Sequence, residues 1–148
     1  MFRGIAQLNL DSKGRLAIPA RHRDALLERC GGHLVITADA DRCLLIYPLP
    51  DWELIQQKLE GLSNLDARVR DLQRRLIGFA VDVDIDGAGR VLISPELRQF
   101  AQLEKNVVLV GQGRKFELWN QDNWEQLISR ATGFGAEGMP PELEGFSL

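Results

Sequence analysis

The stretch Asp11-Ser12-Lys13-Gly14-Arg15 returns 75 positions later as Asp86-Gly87-Ala88-Gly89-Arg90, and its surroundings return with it. An alternating run leads into each copy, with Leu8 and Leu10 before the first and Val81, Val83 and Ile85 before the second. A short apolar run leads out, Leu16-Ala17-Ile18-Pro19 and then Val91-Leu92-Ile93-Ser94-Pro95, and each ends at a helix-start signal. A chain written twice in this way is constrained to fold as two similar halves. Asp11 and Asp86 suit a tight connection because a carboxylate bonds nearby backbone N–H groups, and Gly14 and Gly89 because glycine accepts positive φ. No turn requires Arg15 or Arg90. Each copy therefore lifts a guanidinium to the base of an exposed hairpin loop.

The rest of the chain follows the same order twice. Residues 2–10 alternate as a strand, Leu16 to Ile18 return, and Pro19 fits the first turn of a helix reaching about Arg29, which Gly31-Gly32 ends. Leu34 to Thr37 and Cys43 to Tyr47 read as a hairpin, and Pro48 and Pro50 open a helix whose Trp52, Ile55, Leu59 and Leu62 form one stripe. Ser63, with Asp66 three places on, predicts the N-cap of a connector helix carrying Leu65, Val69, Leu72, Leu76 and Phe79. Its Arg68, Arg70, Arg74 and Arg75 lie elsewhere on the circumference, with Asp66 and Asp71 as expected ion-pair partners. Ser94 caps the next helix, with Pro95 at its first position. Val107 to Val110 and Lys115 to Trp119 form the second hairpin, and Asn120 and Asp122 start a last helix with Trp124, Leu127, Ile128 and Ala131 inward. The Trp52/Trp124 and Arg42/Arg114 pairs recur at an offset of 72, so the first half holds three more residues in a loop. The expected organisation is a first repeat at 1–62, a connector at 63–78, a second repeat at 79–135 and an irregular tail at 136–148, Gly, Pro and Glu dominating from Gly133 onward.

A half of about 70 residues would bury only about 60% of its unfolded surface, so the halves are expected to share one core. With 45% hydrophobic and 26% charged residues, the composition is that of a soluble globular protein. No apolar run approaches the roughly 18 residues of a membrane helix, and charges interrupt the first 30 residues where a signal peptide needs an apolar core. A cytoplasmic protein is expected. Cys30, Cys43, His22 and His33 lack metal-ligand spacing and offer no disulfide framework. Asp82, Asp84 and Asp86 alternate at period two, which lines a solvent face. No nucleophile–base group, paired-carboxylate motif or phosphate loop is visible, so neither an enzyme nor a cofactor is expected.

The net charge is −3, which argues against a polyanion partner until its distribution is read. Residues 1–30 hold six bases against three acids, a balance of +3, whereas from Phe116 onward six acids face Arg130 alone, a balance of −5. Fourteen of the 18 basic residues are Arg, the side chain suited to bidentate phosphate and guanine contacts.

The order strand, Asp-x-x-Gly-Arg loop, strand, helix, hairpin, helix, written twice, resembles the MraZ family of bacterial regulators. Met1-Phe2-Arg3-Gly4, Asn9 to Leu16, Leu45 to Trp52, Asp86 to Arg90 and Phe116-Glu117-Leu118-Trp119 carry the resemblance, which covers residues 1–135. It implies an α+β fold, two tandem pseudo-repeats of an AbrB/MazE/MraZ-like swapped-hairpin β-barrel with flanking helices. It implies a ring-shaped homo-oligomer that binds repeated boxes in double-stranded promoter DNA and acts, associated with the nucleoid, as a transcription repressor of the division and cell-wall gene cluster. The DNA-facing arginine of that family's loops maps onto Arg15 and Arg90. Two positions depart from the expected pattern: His22 stands where an apolar aromatic would look natural, and Ala88 stands opposite Lys13.

The plain alternative for Arg15 and Arg90 is an ion pair with Asp11 and Asp86 that shapes the turn. An exposed pair of that kind contributes little stability and explains the repetition poorly. DNA contact is the better reading, with Lys13 adding a phosphate contact and Arg3, Arg21 and Arg23 as further candidates on the basic side. Tyr47, Trp52, Phe116, Trp119 and Trp124 sit at strand ends and on apolar stripes, which favours core packing over base stacking. Two rivals stand beside this reading: an antitoxin-like or scaffold protein whose loops engage an acidic partner, and an enzyme acting on a phosphorylated metabolite, which lacks a candidate base.

Overall fold

The structure, a computed structural model, describes residues 1–130 and 140–147. Ala131 and residues 133–139, assigned from sequence to the last helix and the tail, lie outside the described residues. The elements run β1 (Phe2–Asn9), β2 (Arg15–Ala17), α1 (Ala20–Cys30), β3 (His33–Ala38), β4 (Leu44–Pro48), α2 (Leu49–Glu60), α3 (Ala67–Leu76), β5 (Val81–Asp84), β6 (Arg90–Leu92), α4 (Pro95–Phe100), β7 (Asn106–Gly113), β8 (Phe116–Asn120) and α5 (Gln121–Arg130).

The strands are exchanged between halves. In the six-stranded sheet the order is β1-β7-β8-β4-β3-β5, so the lead-in strand of each repeat pairs with the hairpin of the other. Strand β1 runs antiparallel to β7 from Phe2↔Gly113 to Asn9↔Asn106, and β5 runs antiparallel to β3 from His33↔Asp84 to Ile36↔Val81. The two hairpins meet in the middle through β4 and β8. The return strands β2 and β6 form a separate two-stranded ribbon, Arg15↔Leu92, Leu16↔Val91 and Ala17↔Arg90. The α+β fold of interlocked, swapped hairpins expected from the sequence is thus present, and both repeats build a single sheet.

Burial follows from that exchange. Phe2, Leu16, Leu34, Ile36, Leu44 and Ile46 from the first repeat share one core with Val91, Ile93, Val107, Leu109, Phe116 and Leu118 from the second. The outer face of the sheet is covered in two places: Val35, Leu45 and Tyr47 pack with Trp52 and Leu59 of α2 and Leu72 and Leu76 of α3, while Val108, Val110 and Trp119 pack under Trp124 and Leu127 of α5. A sheet buried on both faces needs continuous apolar strands, which is why Leu34 to Ala38 and Leu44 to Tyr47 show no alternation. Of the five aromatic residues expected to pack in the core, Tyr47, Trp52, Phe116 and Trp119 are buried and Trp124 is partly buried against the cluster that holds Trp119. His22 joins Phe2 and Phe116 at ring-centroid distances of 6.1 and 4.9 Å, so the imidazole does occupy an aromatic site. Burial, and secondarily the Arg21 charge, push its pKa down, and the ring accepts a hydrogen bond from Arg21 Nε at 3.3 Å.

Several boundaries differ from the sequence expectation: α2 ends at Glu60 and α3 at Leu76, leaving Leu62 and Phe79 outside them. Ile128 of α5, expected inward, is exposed. Helix α3 starts at Ala67, capped by Asp66, whose carboxylate accepts from Arg68 N at 2.8 Å. Ser63 is not its cap, and Leu65 stands outside the helix, 88% exposed. The Asp66 carboxylate holds the Arg68 amide and also pairs with the Arg68 guanidinium at 2.8 Å, which favours it over a hydroxyl one turn earlier. Asp71 pairs with Arg74 as expected. Strand β7 runs to Gly113, past the expected Val110, because β1 supplies a partner along its whole length.

Shared burial of this kind predicts that neither repeat folds alone. Residues 1–78 and residues 79–148 are each expected to be largely unfolded by circular dichroism and to regain strand signal when mixed; an independently folded half would contradict the common core.

Candidate nucleic-acid interface

Each Asp-x-x-Gly-Arg loop is built around its carboxylate. Asp11 Oδ1 accepts from the amides of Lys13 and Arg15, both at 2.9 Å, and Asp86 Oδ1 accepts from those of Ala88 and Arg90, again at 2.9 Å. Backbone bonds close the loops in the same pattern, Gly14 N to Asp11 O at 3.0 Å and Gly89 N to Asp86 O at 2.9 Å. Both glycines lie in the left-handed region, at φ +83° and +78°, where a side chain would strain the turn.

The second carboxylate oxygen takes the arginine. Arg15 Nε donates to Asp11 Oδ2 at 2.6 Å, and Arg90 Nε to Asp86 Oδ2 at 3.2 Å. The ion pair weighed as the plain alternative is therefore formed. It occupies one nitrogen of each guanidinium, and among the described residues the terminal nitrogens of Arg15 and Arg90 donate to nothing. An arginine held at Nε presents its outer edge, two parallel N–H groups, in a fixed direction. Backbone donation from Arg15 is the largest influence on Asp11 and, with the Arg15 side-chain bond and the Lys13 amide, outweighs the opposing effect of desolvation and lowers its pKa to about 2; Asp86 is lowered too, chiefly by the Arg90 amide.

The ribbon brings the two loops together. Successive side chains on a strand alternate faces, so Arg15, Ala17, Arg90 and Leu92 share one face while Leu16 and Val91 fill the core on the other, 0% and 1% exposed. In this register Arg15 and Arg90 are diagonal cross-strand neighbours, a relation that spans about 7–8 Å in antiparallel pairs and somewhat less between Cβ atoms. Leu92 stands beside both, directly opposite Arg15 and 51% exposed, an apolar residue that the sequence placed only as part of a return strand. Lys13 at the tip of the first loop is exposed, and so is Ala88 at the tip of the second.

Of the other candidates, Arg3 and Arg21 lie apart from this face, whereas Arg23 reaches the second loop. Arg3 is exposed near the far end of β1, six residues or roughly 20 Å along the strand from Asn9. Arg21 belongs with that end: its Nη2 lies 2.7 Å from where a Cβ on Gly4 would be. Arg23 is half-buried, with its guanidinium against Gly89 and Nη2 3.4 Å from Ile18 O. Its counterpart Arg98, not singled out from the sequence, lies against Gly14 and donates from Nε to Ile93 O at 3.0 Å. Its spacing of 75 from Arg23, the same offset as the loops, was the available signal. Asp82 and Asp84 face solvent as expected, with Asp84 Oδ1 at 2.6 Å from His33 Nδ1. Among the described residues, no helix is long and apolar enough to cross a membrane.

A family model described as "MraZ protein, putative antitoxin-like" matches the chain twice, over residues 1–75 and 76–137. The chain belongs to the MraZ family. Relatives named "Transcriptional regulator MraZ" align over the whole of both chains, 60% identical in Nitrosomonas eutropha, 57% in Thiobacillus denitrificans and 50% in Pseudomonas aeruginosa. The two MraZ matches divide the chain in the connector helix α3, and each contains one loop and one hairpin.

Depression of the Asp11 pKa has a checkable consequence. Because the folded value lies below the ordinary 3.8, the carboxylate's contribution to stability is fully present above the unfolded pKa and is lost only as pH falls through about 2. In a carboxyl 13C titration Asp11 is expected to remain mostly ionised at about pH 3, where an unperturbed Asp is mostly protonated. Arg15→Ala should raise the midpoint only part of the way, since the two backbone donors remain.

Proposed function

We propose that this transcriptional regulator binds double-stranded DNA in a sequence-specific way through the face of the β2–β6 ribbon. The observation that carries this reading is the joint presentation of Arg15 and Arg90, each tethered at Nε by an aspartate and open at its outer edge. Guanine offers O6 and N7 in the major groove to such a paired donor edge. Diagonal neighbours about 7–8 Å apart on a ribbon match roughly two base-pair steps at about 3.4 Å each, so one chain addresses bases about two steps apart in a single groove. Leu92 and Ala17 supply apolar contact beside the two arginines, which suits a thymine methyl. Lys13 reaches a phosphate from the first loop, and Ala88 leaves the second loop without that contact, so Arg15 contributes more than Arg90. Arg3 and Arg21 stay outside this contact set on our reading, being at the far end of β1, and Arg23 does so because its guanidinium is turned inward against Gly89 and Ile18 O.

One ribbon is a small reader for a chain of net charge −3. Affinity on this reading comes from a ring homo-oligomer that presents several ribbons to repeated promoter boxes, each added contact made at high effective concentration. Gathering the ribbons also separates the basic loops from the acidic segments that follow Phe116. The regulated genes are the division and cell-wall cluster, and occupation of its promoter represses it. The organisation into repeats at 1–62 and 79–135 joined by 63–78 fits this use, with one loop supplied by each repeat.

Duplex from the chain's own upstream region, titrated by fluorescence anisotropy, tests the proposal. Arg15→Ala is expected to cost about 1–3 kcal/mol per engaged site, Arg90→Ala less, and Arg130→Ala close to nothing. Log K should fall linearly with log salt, and Lys13→Ala should flatten that slope. Equal effects of Arg15→Ala and Arg130→Ala would refute the ribbon as the reader. Binding to an acidic protein, with no duplex binding, would favour the antitoxin-like or scaffold reading.

A further inference from the structure

Nothing in an Asp-x-x-Gly-Arg loop fixes its direction relative to the rest of the molecule, and the structure shows what does. Gly14 O accepts from Ile93 N at 2.9 Å, and Gly89 O accepts from Ile18 N at 2.9 Å. Each loop glycine is therefore bonded to the return strand of the opposite repeat. The uncovered side of each glycine is then closed by an arginine, also from the opposite repeat. A Cβ placed on Gly14 would stand 2.7 Å from both Cζ and Nε of Arg98, and one placed on Gly89 would stand 2.6 Å from Nη1 and 2.7 Å from Cζ of Arg23. Such distances mean that a flat guanidinium lies on the glycine α-carbon, closer than any other residue type would permit. Arg98 is itself fixed by its bond to Ile93 O, and Arg23 by the weaker one to Ile18 O.

We infer that Arg98 and Arg23 are positioning residues that act crosswise, Arg98 of the second repeat setting the aim of Arg15 and Arg23 of the first setting the aim of Arg90. The functional part of this inference rests on the DNA-binding reading above; the mechanical part does not. Each guanidinium acts as a wedge between helix and loop: its planar face supports the glycine while its N–H groups anchor to the strand that bonds the same glycine. Removing it leaves the loop's own bonds to Asp11 or Asp86 intact but frees the whole loop to tilt. Arg23 has the looser hold, its Nη2 contact being 3.4 Å and its Nε buried without a hydrogen-bond partner. The Arg90 loop is accordingly the less firmly aimed of the two. This also accounts for the placement of Arg23, a basic residue close to the interface whose charged group is turned toward the protein.

Hydrogen–deuterium exchange of the full-length protein, combined with duplex binding, separates the possibilities. Arg98→Ala should speed exchange in the 11–16 segment by about tenfold or more while leaving 86–91 unchanged, and Arg23→Ala should do the reverse. Binding to duplex from the upstream region should weaken in Arg98→Ala. The loss should vanish when Arg98→Ala is added to Arg15→Ala, and persist in full when it is added to Arg90→Ala, the non-additivity expected of residues acting through one another. Acceleration in a variant's own repeat, or equally in both loops, overturns the crosswise assignment. If Arg98→Ala fails to fold, Arg98→Lys keeps the charge and the chain but not the plane, and the same crosswise pattern is required of it. Crosswise exchange with duplex binding unaffected by Arg15→Ala would leave the positioning role standing and remove the DNA reading alone.

Discussion

Two backbone bonds, Ile18 N to Gly89 O and Ile93 N to Gly14 O, flank the three-pair ribbon of β2 and β6, and the molecule is arranged so that they can form. They require the return strand of each repeat to lie beside that of the other. That in turn requires the lead-in strands to cross, β1 to the second hairpin and β5 to the first. Once crossed, neither repeat keeps a complete sheet of its own. Leu16 and Val91, opposite each other in the ribbon, are then driven into a core that draws on both halves. Burial of a Leu or Val side chain is worth about 1.5–3 kcal/mol, so a ribbon of only three residues a side is held mainly by what lies beneath it.

The loop ion pair and the proposed DNA contact are compatible because they use different nitrogens. An arginine bonded through a terminal nitrogen would have its outer edge blocked. One bonded through Nε is turned to face outward and loses much of its side-chain freedom before any partner arrives. Ordering a long side chain costs up to about 1.5–2 kcal/mol, and a tether that is already formed removes part of that cost from the binding step. The aspartate is thereby explained twice: it shapes the turn through Oδ1 and aims the arginine through Oδ2. The depressed pKa of Asp11 follows from the same donors and keeps the tether charged in acid below the ordinary value of 3.8.

Much of this was legible in the chain. The repeat, both loops, both hairpins and the helix starts at Pro19 and Ser94 follow from residue type and spacing, since turn chemistry and capping are local. The crossing of the strands is not local. Leu8, Leu10, Val81 and Val83 announce strands without saying which hairpin they join, and only the resemblance to a known family supplied the swap. The extension of β7 to Gly113 has the same origin, a partner distant in sequence. Ser63 and Asp66 compete for one helix start, and both fit the capping pattern; the choice of Asp66 depends on Arg68 closing on the same carboxylate. Arg98 went unnoticed because an arginine on a short helix resembles any solvated charge. Its role depends on a glycine contributed by the other repeat.

The same dependence bears on how two unequal loops can serve one interface. Loop 1 has Lys13 at its tip, a 2.6 Å tether and a guanidinium brace anchored at 3.0 Å; loop 2 has Ala88, a 3.2 Å tether and a brace anchored at 3.4 Å. All three differences run in one direction, toward a stiffer and more basic first loop. Because the braces cross, the firmness of the first loop is a property of the second repeat, and a change in α4 is felt at Arg15 before it is felt at Arg90. Two copies of one unit joined in a single chain are free to diverge in this way, whereas two identical subunits are bound by symmetry to keep both loops alike. On the DNA-binding reading, a strong and a weak arginine about two base steps apart would give each chain a direction along the duplex. On the same reading, chains assembled in the proposed ring would meet tandem boxes in one orientation.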